Sequence, residues 1–571
     1  MEEELRLIMK GRVKHISEFV SIIAGLIILG LLASKINLRI DLTSEKRYTL
    51  SEQTRKILDE LDNDIYIQVF LDGDLRVEFS RLRRELTARL DEFRLASGKR
   101  VDYQYINPSG ADDPEERYRY QMSLINKGLV PVTIMAEDKE GAQSEKIIFP
   151  GLMVNYNGIE MPVNFLRNNP ALPAEQNLTH SIEGLEYELI SSIATITSDT
   201  IHRIAFIEGH DELAEVEVAD LTLELAKFFT IDRGTINGVP GILDPYSAIV
   251  IAKPENPFPE EDKLVIDQYV MNGGKVLWLI DEVAVNSDSL AAGGSMAFYR
   301  PLEIEDQLFK YGVRINPVLI QDLDCQIIPV ISSFEGARQQ TIHVEWLYNP
   351  LLYPSLKSPV TRAINKVRGE FVSYIDTVGE SNQLTKKVLL ATSQASRYVS
   401  PPRLVSISEF RERPSAELFD RSFLPVAVAV EGVFPSLYAN RVSSYNGRPL
   451  LKSSVANKMI VIADGDIIRN GVRREGNQLI PLTLGQDRSS QQIYGNKDFL
   501  VNALNYLVDD KGIMDLRSRE LKLRLLDREK ISEGKIFWQL INTLGPVILV
   551  VMSGIIYAIF RKKKYSIRNM V

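Results

Sequence analysis

The feature that most constrains this chain is an uncharged, strongly apolar stretch close to its end. Residues 536–560, IFWQLINTLGPVILVVMSGIIYAIF, contain no charged side chain, and the basic run RKKK follows directly. A helix of about 20 apolar residues crosses a bilayer, so this stretch predicts a transmembrane helix. A buried core helix is the alternative. The immediate basic stop and the positions of Trp538 and Tyr557 near the two ends favour the membrane.

A second apolar stretch lies near the start of the chain. Residues 19–34, FVSIIAGLIILGLLAS, carry no charge and follow Lys10, Arg12 and Lys14. We predict a transmembrane helix over residues 16–36, preceded by a short cytoplasmic segment over residues 1–15. A cleaved signal peptide is the alternative interpretation.

The basic tail predicts how the chain is oriented. Residues 561–571 contain no acidic residue and carry the basic residues Arg561, Lys562, Lys563, Lys564 and Arg568. Positively charged flanks stay in the cytoplasm, so the tail is predicted to be cytoplasmic, and two spans place the N-terminus on the same side. We therefore expect the protein in the inner (plasma) membrane, in contact with membrane lipid, with its large domain periplasmic.

Residues 48–198 predict a first α/β domain. Strand and helix patterns follow one another in the order β-α-β-α-β-β-α, which is thioredoxin-like in outline. A long amphipathic helix over residues 77–96 carries Leu82, Leu86, Leu90 and Phe93 on its apolar side. The domain has no cysteine pair, so dithiol chemistry does not follow.

Residues 200–510 predict a second, larger domain. Near-continuous apolar runs such as AIVIAKP and KVLWLID alternate with helical patterns, which indicates a parallel, doubly wound sheet. VRINPVLIQD predicts one further strand. The runs FLPVAVAVEGVF and MIVIADGDIIRN and a helix over residues 496–508 are expected to complete the same sheet. Residues 511–535 are highly charged, and we interpret them as a connector to the membrane helix over residues 536–560.

Composition and motifs exclude several classes of function. The chain has 571 residues, a net charge of −9 and a pI of about 5.5, so nucleic acid is not an expected partner. It contains no G-x-x-x-x-G-K-[ST] loop, G-x-S-x-G elbow, H-E-x-x-H motif or paired C-x-x-C site. The histidines are scattered, and the single cysteine, Cys325, is interpreted as structural. We therefore expect no catalytic residue, no cofactor and no metal site.

Polar residues at strand ends are the candidate surface for a ligand or partner. In RIAFIEGHDE an apolar strand stops at Gly209, and Glu208, His210 and Asp211 surround this end; Asp281 follows another strand. Ligands of open α/β sheets bind at this edge. His210 and Asp211 would form an acid–base pair in a hydrolase. Such an enzyme also needs a nucleophile or a metal nearby, and the only cysteine lies on a separate strand. The simpler alternative is a glycine turn with an aspartate that caps the next helix.

Six segments together resemble one known family. They are RYTLSEQTRKILDELD, EGLEYELISSIATIT, IAFIEGHDE, AIVIAKPENPFPEEDKLVIDQYVMNGGKVLWLID, MIVIADGDIIRN and GNKDFLVNALNYLVDD. They resemble GldG, the gliding-motility-associated ABC transporter component, over nearly the whole chain, and residues 246–281 are the most specific part. The resemblance implies a flavodoxin-like sheet of the class I glutamine amidotransferase type, also seen in an intraflagellar-transport protein domain.

The resemblance also implies partners and a function. GldG-like proteins are taken to work with a polytopic permease subunit, GldF, and an ATPase subunit, GldA, and no enzymatic residue or defined ligand comes with the resemblance. We therefore predict a non-catalytic, membrane-anchored subunit of an ABC transport system linked to gliding motility. Its large extracytoplasmic domain is expected to bind substrate or a partner. A membrane-tethered hydrolase and a pure periplasmic scaffold are the alternatives.

Overall fold

The computed structural model describes most of the chain between residues 49 and 566. The described residues are 20–21, 23–25, 49–137, 143–166, 173–198, 201–286, 289–290, 293–335, 338–362, 364–379, 383–411, 414–441, 444–476, 478–487, 489–490, 492–518 and 528–566. The chain divides into a large unit, Met1–Arg519, and a small one, Glu520–Val571. Most of the predicted N-terminal span, residues 16–36, lies outside the described residues, as does the tail beyond residue 566.

The first part of the large unit alternates helices with strands. The helices are α1 (Glu52–Asp59), α2 (Val77–Ala96), α3 (Pro114–Asn126) and α4 (Ala174–Ile196), and the strands are β1 (Ile65–Val69), β2 (Val101–Tyr105), β3 (Val132–Glu137), β4 (Gln143–Ile148), β5 (Gly151–Tyr156) and β6 (Ile159–Asn164). A mixed sheet has the order β2-β1-β5-β6, in which β1 is parallel to β2 and antiparallel to β5. β3 and β4 form a separate hairpin.

Helix α2 covers the sheet with the side that its sequence predicts. Leu82, Leu86, Leu90 and Phe93 are fully buried, in one apolar cluster with Leu185 of α4. The predicted apolar side of this helix is therefore confirmed.

Strand β6 has no counterpart among the predicted strands. It pairs with β5 through a tight turn at Asn157 and Gly158, whose φ angles are 50° and 83°. Asn-Gly suits a turn in which both central residues have positive φ. The dipeptide in YNGI was the sequence signal for this hairpin.

The second part of the large unit is richer in strands. The helices are α5 (Ala219–Leu225), α6 (Glu260–Met271), α7 (Glu305–Lys310) and α8 (Asn496–Val508). The strands are β7 (Arg203–Glu208), β8 (Thr230–Thr235), β9 (Ala248–Ala252), β10 (Lys275–Leu279), β11 (Val283–Ala284), β12 (Ser295–Tyr299), β13 (Val313–Asn316), β14 (Leu319–Asp322), β15 (Cys325–Glu335), β16 (Arg338–Pro354), β17 (Val367–Arg368), β18 (Tyr374–Thr377), β19 (Leu384–Ala391), β20 (Ser396–Val399), β21 (Arg403–Val405), β22 (Pro425–Pro435), β23 (Ser444–Tyr445), β24 (Arg448–Pro449), β25 (Ser453–Ile462), β26 (Val472–Glu475) and β27 (Gln478–Pro481).

The large sheet is parallel in one half and antiparallel in the other. Its order is β15-β16-β19-β22-β25-β10-β9-β7-β8, with β17 beside β16. The predicted parallel arrangement holds for β25, β10, β9, β7 and β8. It is wrong for β22, which is antiparallel to both β25 and β19. The connection from β22 to β25 carries the short β23–β24 hairpin where a parallel pair would need a crossover connection.

Both faces of the parallel half are covered by helices. Phe206, Val250 and Leu277 belong to an apolar cluster with residues of α5 and α8, whereas Ile251 and Trp278 belong to a second cluster with residues of α6 and α7. Alternate residues of each strand therefore enter different layers, which explains why the strands are apolar without interruption. The predicted helix over residues 496–508 is confirmed by α8.

Two local predictions are corrected. VRINPVLIQD is not one strand of the large sheet; it forms β13 and β14, which pair with β18 and β20 in separate two-stranded sheets. The break falls at Pro317, which lacks an N–H to donate to a ladder. The sequence pattern over residues 213–229 also predicts one helix after β7, but a 3₁₀ turn at Glu215–Glu217 precedes the short helix α5 there.

The small unit consists of one long helix, α9 (Arg528–Ser566). Within it, Phe537–Lys563 is long and apolar enough to cross a membrane, and this segment contains the uncharged stretch that the sequence singles out. Its side chains are exposed from Phe537 to Lys563, apart from a half-buried Gly545.

Candidate functional site

The carboxyl ends of the parallel strands bring four charged side chains together. Lys253 follows β9 and Asp281 lies two residues beyond the end of β10, while Asp464 and Asp466 lie just beyond β25. Because β25, β10 and β9 are adjacent and parallel, these three ends meet at one edge of the sheet. This is the edge at which ligands bind in open α/β sheets.

A buried lysine holds this edge together. The Nζ atom of Lys253 lies 2.5 Å from Oδ2 of Asp466 and 3.4 Å from Oδ2 of Asp281. The lysine side chain is only 11% exposed and those of Asp281 and Asp466 are 6% and 5% exposed. The other oxygen of Asp281, Oδ1, accepts a hydrogen bond of 2.5 Å from the backbone N–H of Gly465. The ammonium group therefore occupies the space between two strand ends.

Asp464 shapes the loop and does not face the lysine. Its Oδ1 accepts hydrogen bonds from the backbone N–H groups of Asp466 and Ile467, at 2.9 and 3.1 Å, and so caps a 3₁₀ turn. Its Oδ2 accepts a hydrogen bond from the backbone N–H of Glu370 at 3.0 Å. The carboxyl group is completely buried, and it ties the end of β25 to the loop before β18.

The carboxyl groups of this cluster differ in their electrostatics. Burial raises the pKa of Asp464 well above its usual value, and the neighbouring Asp281 and Asp466 raise it further. Burial also raises the pKa of Asp281, against the opposing effect of Lys253. For Asp466, burial would raise the pKa, but Lys253 and Arg469 together outweigh it and lower the pKa. The lysine therefore stabilises the carboxylate of Asp466 in particular.

Arg469 closes the cluster toward solvent. Its Nη1 lies 2.8 Å from Oδ1 of Asp466, and its Nε lies 3.4 Å from Oε1 of Glu217, on the turn after β7.

Burial would lower the pKa of Lys253, but Asp281 and Asp466 outweigh it and raise that pKa. Lys253 is thus a fixed cation rather than a proton carrier near neutral pH. We call Lys253, Asp281, Asp464, Asp466 and Arg469 the carboxyl-edge cluster.

His210 belongs to a different arrangement. Its ring is 3% exposed and stacks on Phe258 with 3.7 Å between the ring centroids. Nδ1 lies 3.0 Å from Oε1 of Glu212, and Nε2 lies 3.0 Å from Oδ2 of Asp262 on α6. Both ring nitrogens are therefore engaged inside the protein. The His210 carbonyl also accepts hydrogen bonds from the N–H groups of Glu255 and Asn256.

The two remaining predicted residues lie nearer the surface. Glu208 is half-buried, and its Oε1 lies 2.7 Å from Nε of Arg233. Asp211 is exposed and has a φ of 60°, a left-handed conformation that aspartate tolerates better than most residues. The four predicted residues therefore lie in separate environments and do not form one site. Asp281 lies in the carboxyl-edge cluster, His210 is clamped between Glu212 and Asp262, and Glu208 pairs with Arg233.

The sequence reasoning missed most of the carboxyl-edge cluster. No sequence motif marks Lys253, Asp464, Asp466 and Arg469, although they follow segments that predict strands. The signal was present in AIVIAKP and MIVIADGDIIRN, where charged residues follow an apolar run directly. Such charges are expected at the rim of a parallel sheet, but only the strand order tells which of them become neighbours.

The part of the chain that the structure describes also bears on two further kinds of site, metal sites and reactive cysteines. There, no group of three or more His, Cys, Asp or Glu side chains is arranged to hold a metal ion. Cys325 is buried at the start of β15, away from the parallel strand ends.

A cavity of about 600 Å³ lies at the opposite, amino-terminal edge of the parallel strands. It is lined by the end of α6, by the start of β10 and by the β23–β24 hairpin. Two ion pairs stand at its wall: Arg448 with Asp244 at 3.5 Å, and Lys275 with Asp510 at 3.1 Å. The cavity and the carboxyl-edge cluster therefore lie at different ends of the sheet.

The sequence of the second domain places the chain in a transport-associated class of protein. A family model described as an ABC-type uncharacterized transport system matches residues 201–503, and the chain belongs to this family. It is accordingly an auxiliary component of an ABC-type transport system, and such a system implies a permease and an ATPase as partners. Residues 44–155 match a separate domain family of unknown function.

The individual proteins that this chain matches share little sequence identity with it. An uncharacterized protein of Borreliella burgdorferi is 21% identical over 549 residues, which cover 92% of this chain and 94% of that protein. Among solved structures, the mmIFT52 N-terminal domain matches 54% of this chain and 98% of its own length, with 13% identity and a TM-score of 0.31.

Proposed function

We propose that this protein is a membrane-anchored, non-catalytic subunit of its ABC transport system, with a large extracytoplasmic domain that binds a partner or substrate. The family membership supports the transport role, and the apolar segment Phe537–Lys563 supports the anchor. Arg561, Lys562 and Lys563 at its end support a cytoplasmic C-terminus. The link to gliding motility rests on the resemblance to GldG, and so do GldF-like and GldA-like partners.

The main support for a non-catalytic role is that a lysine side chain already occupies the carboxyl edge of the parallel strands. Lys253 fills the position between the ends of β9, β10 and β25 and is paired there with Asp281 and Asp466. A ligand entering this edge would have to separate a buried ion pair, which leaves uncompensated charge and costs several kcal/mol. His210 offers no free ring nitrogen to act as an acid or base. Hydrolysis at this edge or at His210 is therefore disfavoured, which supports a non-catalytic role.

The topology supports a proposal about the two folds. The order β2-β1-β5-β6, with β1 parallel to β2 and antiparallel to β5, supports a thioredoxin-like first domain over residues 48–198. The parallel strands with helices on both faces support a flavodoxin-like second domain over residues 200–510. In this proposal both domains serve as binding modules.

Purification from native membranes tests the transport role. The tagged full chain is extracted in mild detergent, and co-purifying proteins are identified by mass spectrometry. We expect a permease and an ATPase to be recovered with it. A folded protein that is recovered with neither would contradict the proposal and favour a separate periplasmic scaffold.

Substitution of His210 tests the absence of catalysis. His210→Gln keeps a side chain that can donate to Asp262, and a strain carrying it is compared with wild type for complementation of a deletion. We expect full complementation at equal protein level. A stable variant with no activity would support the hydrolase alternative, and Glu215→Gln, at an exposed position outside the candidate residues, serves as the matched control.

A further inference from the structure

In the apolar segment of helix α9, the amide and hydroxyl side chains share one face with Pro546 and Gly554. At 100° per residue, corresponding to 3.6 residues per turn, they lie within about 60° of the line through the first of them. They are Gln539, Asn542, Thr543, Pro546, Ser553, Gly554 and Tyr557. Val550 and Phe560 are the apolar residues that also lie on this face. We call this set the polar face of α9.

The opposite face is apolar, with Phe537 beside a run of aliphatic residues. It carries Ile541, Leu544, Ile548, Val551, Met552, Ile555 and Ile559, all of them exposed. Such side chains are as apolar as lipid tails. The helix is therefore two-sided within its apolar segment, with one face suited to lipid and the other not.

Two amide side chains make the polar face costly in lipid. Gln539 and Asn542 are exposed, and among the described residues neither side-chain amide has a hydrogen-bond partner. The hydroxyl groups are different, because Thr543 donates to the carbonyl of Gln539 and Ser553 to that of Leu549. An amide in hydrocarbon without a partner costs several kcal/mol. The two amides therefore need hydrogen-bond partners from a neighbouring protein, because lipid tails provide none.

Proline adds an independent requirement on the same face. Pro546 lies inside the helix and has no backbone N–H, so the carbonyl oxygen of Asn542 loses its helical donor. In membrane helices such freed carbonyls are satisfied by neighbouring helices, hydroxyl side chains or water. The side-chain amide and the backbone carbonyl of Asn542 therefore both need hydrogen-bond partners at the same depth in the membrane.

Charge at the end of the helix decides between possible neighbours. A second copy of this chain has the same orientation in the membrane, so its Arg561, Lys562 and Lys563 would lie beside those of the first. Like charges side by side are unfavourable, and no acidic residue follows on the tail to compensate. A different membrane protein is favoured, and an ABC-type transport system contains one in its permease.

We propose that the polar face of α9 docks onto a transmembrane helix of the permease, and this inference rests on the proposed function. The docking helix presents hydrogen-bonding side chains at the depth of Gln539 and Asn542. Small residues face Ser553 and Gly554, where the two backbones approach closely. The aliphatic face remains toward lipid.

Site-specific photo-crosslinking tests the proposal in native membranes. The photoreactive residue p-benzoylphenylalanine replaces Gln539, Ser553 or Tyr557 on the polar face, and Ile548 or Ile555 on the aliphatic face as matched controls. Extraction with alkaline carbonate first verifies that each variant is inserted. We expect adducts with the permease, identified by mass spectrometry, to be several-fold more abundant from the polar face.

Three results would overturn the proposal while leaving the proposed function in place. They are equal permease adducts from both faces, an adduct of two copies of this chain from the polar face, and recovery of the permease without any adduct. Removal of the chain by alkaline carbonate, or loss of the permease from wild-type preparations, would instead contradict the proposed function itself.

A substitution pair measures how much the amide contributes. Asn542→Leu removes the amide from the polar face, while Ile548→Leu changes an aliphatic residue conservatively. We expect recovery of the permease in mild detergent to fall roughly threefold or more for Asn542→Leu and to be unchanged for Ile548→Leu. Equal recovery for both variants would count against the docking face.

Discussion

Lys253 illustrates how the behaviour of a single residue depends on its surroundings. On the surface a lysine beside two aspartates would contribute little, because water screens the ion pair. At the carboxyl edge its ammonium group is buried against Asp281 and Asp466, so each charge depends on the others. Breaking such a buried group by removing one partner is strongly destabilising.

Removal of this charge gives the first prediction. Lys253→Met keeps the apolar stem and deletes the ammonium group, and we expect it to lower the free energy of unfolding by about 3–5 kcal/mol. The control is Lys227→Met, which breaks an exposed pair with Glu224 and should change stability by less than about 1 kcal/mol. Urea unfolding of the full chain in detergent measures both. Equal losses for the two variants would show that the edge is not held by its ion pairs.

Glu282 gives a second prediction, on pH dependence. Burial and the neighbouring Glu305 raise the pKa of this carboxyl group from 4.5 to about 8. Between these values the folded protein holds a proton that the unfolded chain has lost. Its contribution to stability is therefore fully present below pH 4.5 and is lost as the pH rises through about 8, by about 1.4 kcal/mol per unit.

The corresponding measurement compares three proteins between pH 5 and pH 9. Wild type should lose stability relative to Glu282→Gln as the pH rises, because the amide does not titrate. Glu261→Gln, at an exposed position, should follow the wild-type curve. A Glu282→Gln curve parallel to wild type would mean that this carboxyl group is ionised in the folded protein.

Among the secondary-structure elements, β22 shows that the sheet changes from parallel to antiparallel pairing without losing its core. Ala427, Val428 and Ala429 of β22 are buried like the neighbouring parallel strands, so the apolar layer continues into the antiparallel half. Toward its end the pairing of β22 with β25 becomes irregular, between Val433 and Pro435, and Gly432 adopts a φ of 136°. Glycine is required there for conformation and for space.

Gly432 supplies the element-level prediction. A Cβ atom at this position would lie 1.9 Å from the carbonyl oxygen of Gln383, so Gly432→Ala must displace the backbone of the adjacent strand. Gly447 also has positive φ, 80°, but a Cβ atom there meets nothing within 4 Å. Gly447→Ala should cost about 1–2 kcal/mol for conformation alone, and Gly432→Ala distinctly more. Thermal unfolding of both variants tests this, and similar losses would mean that the strands adjust easily.

For the whole molecule, the charges that flank the apolar segments predict on which side of the membrane the domains between them lie. The basic residues Arg561, Lys562 and Lys563, at the end of the apolar segment of α9, favour the cytoplasm for the C-terminus. With a second span near the start of the chain, the large unit would be extracytoplasmic. Its single cysteine is buried, so cysteine chemistry does not decide between the two sides.

Reporter fusions give the prediction at this scale. An alkaline phosphatase inserted at the exposed Asn157–Gly158 turn should be active, whereas one fused after Val571 should be inactive. The reason is that this enzyme folds only where its disulfides form. A reporter active only in the cytoplasm should give the opposite pattern at the two positions. Phosphatase activity at the C-terminus alone would reverse the proposed orientation.

The sequence by itself determined the features that depend on local composition. The uncharged stretch before RKKK identifies a helix long and apolar enough for a membrane. The spacing of Leu82, Leu86 and Leu90 identifies the buried side of α2, and uninterrupted apolar runs identify strands buried on both faces. Each of these follows from the period of a helix or strand, which a short window of residues contains in full.

The tertiary structure decided what depends on residues far apart in the chain. Lys253 and Asp466 are separated by 213 positions, and only the order of β9, β10 and β25 brings them together. His210 meets Asp262 for a similar reason, through the packing of α6 on the sheet. The antiparallel half was missed because an apolar run has the same appearance in either direction. Strand direction and neighbours are set by how connections cross the sheet and bury its faces, and no local pattern records that.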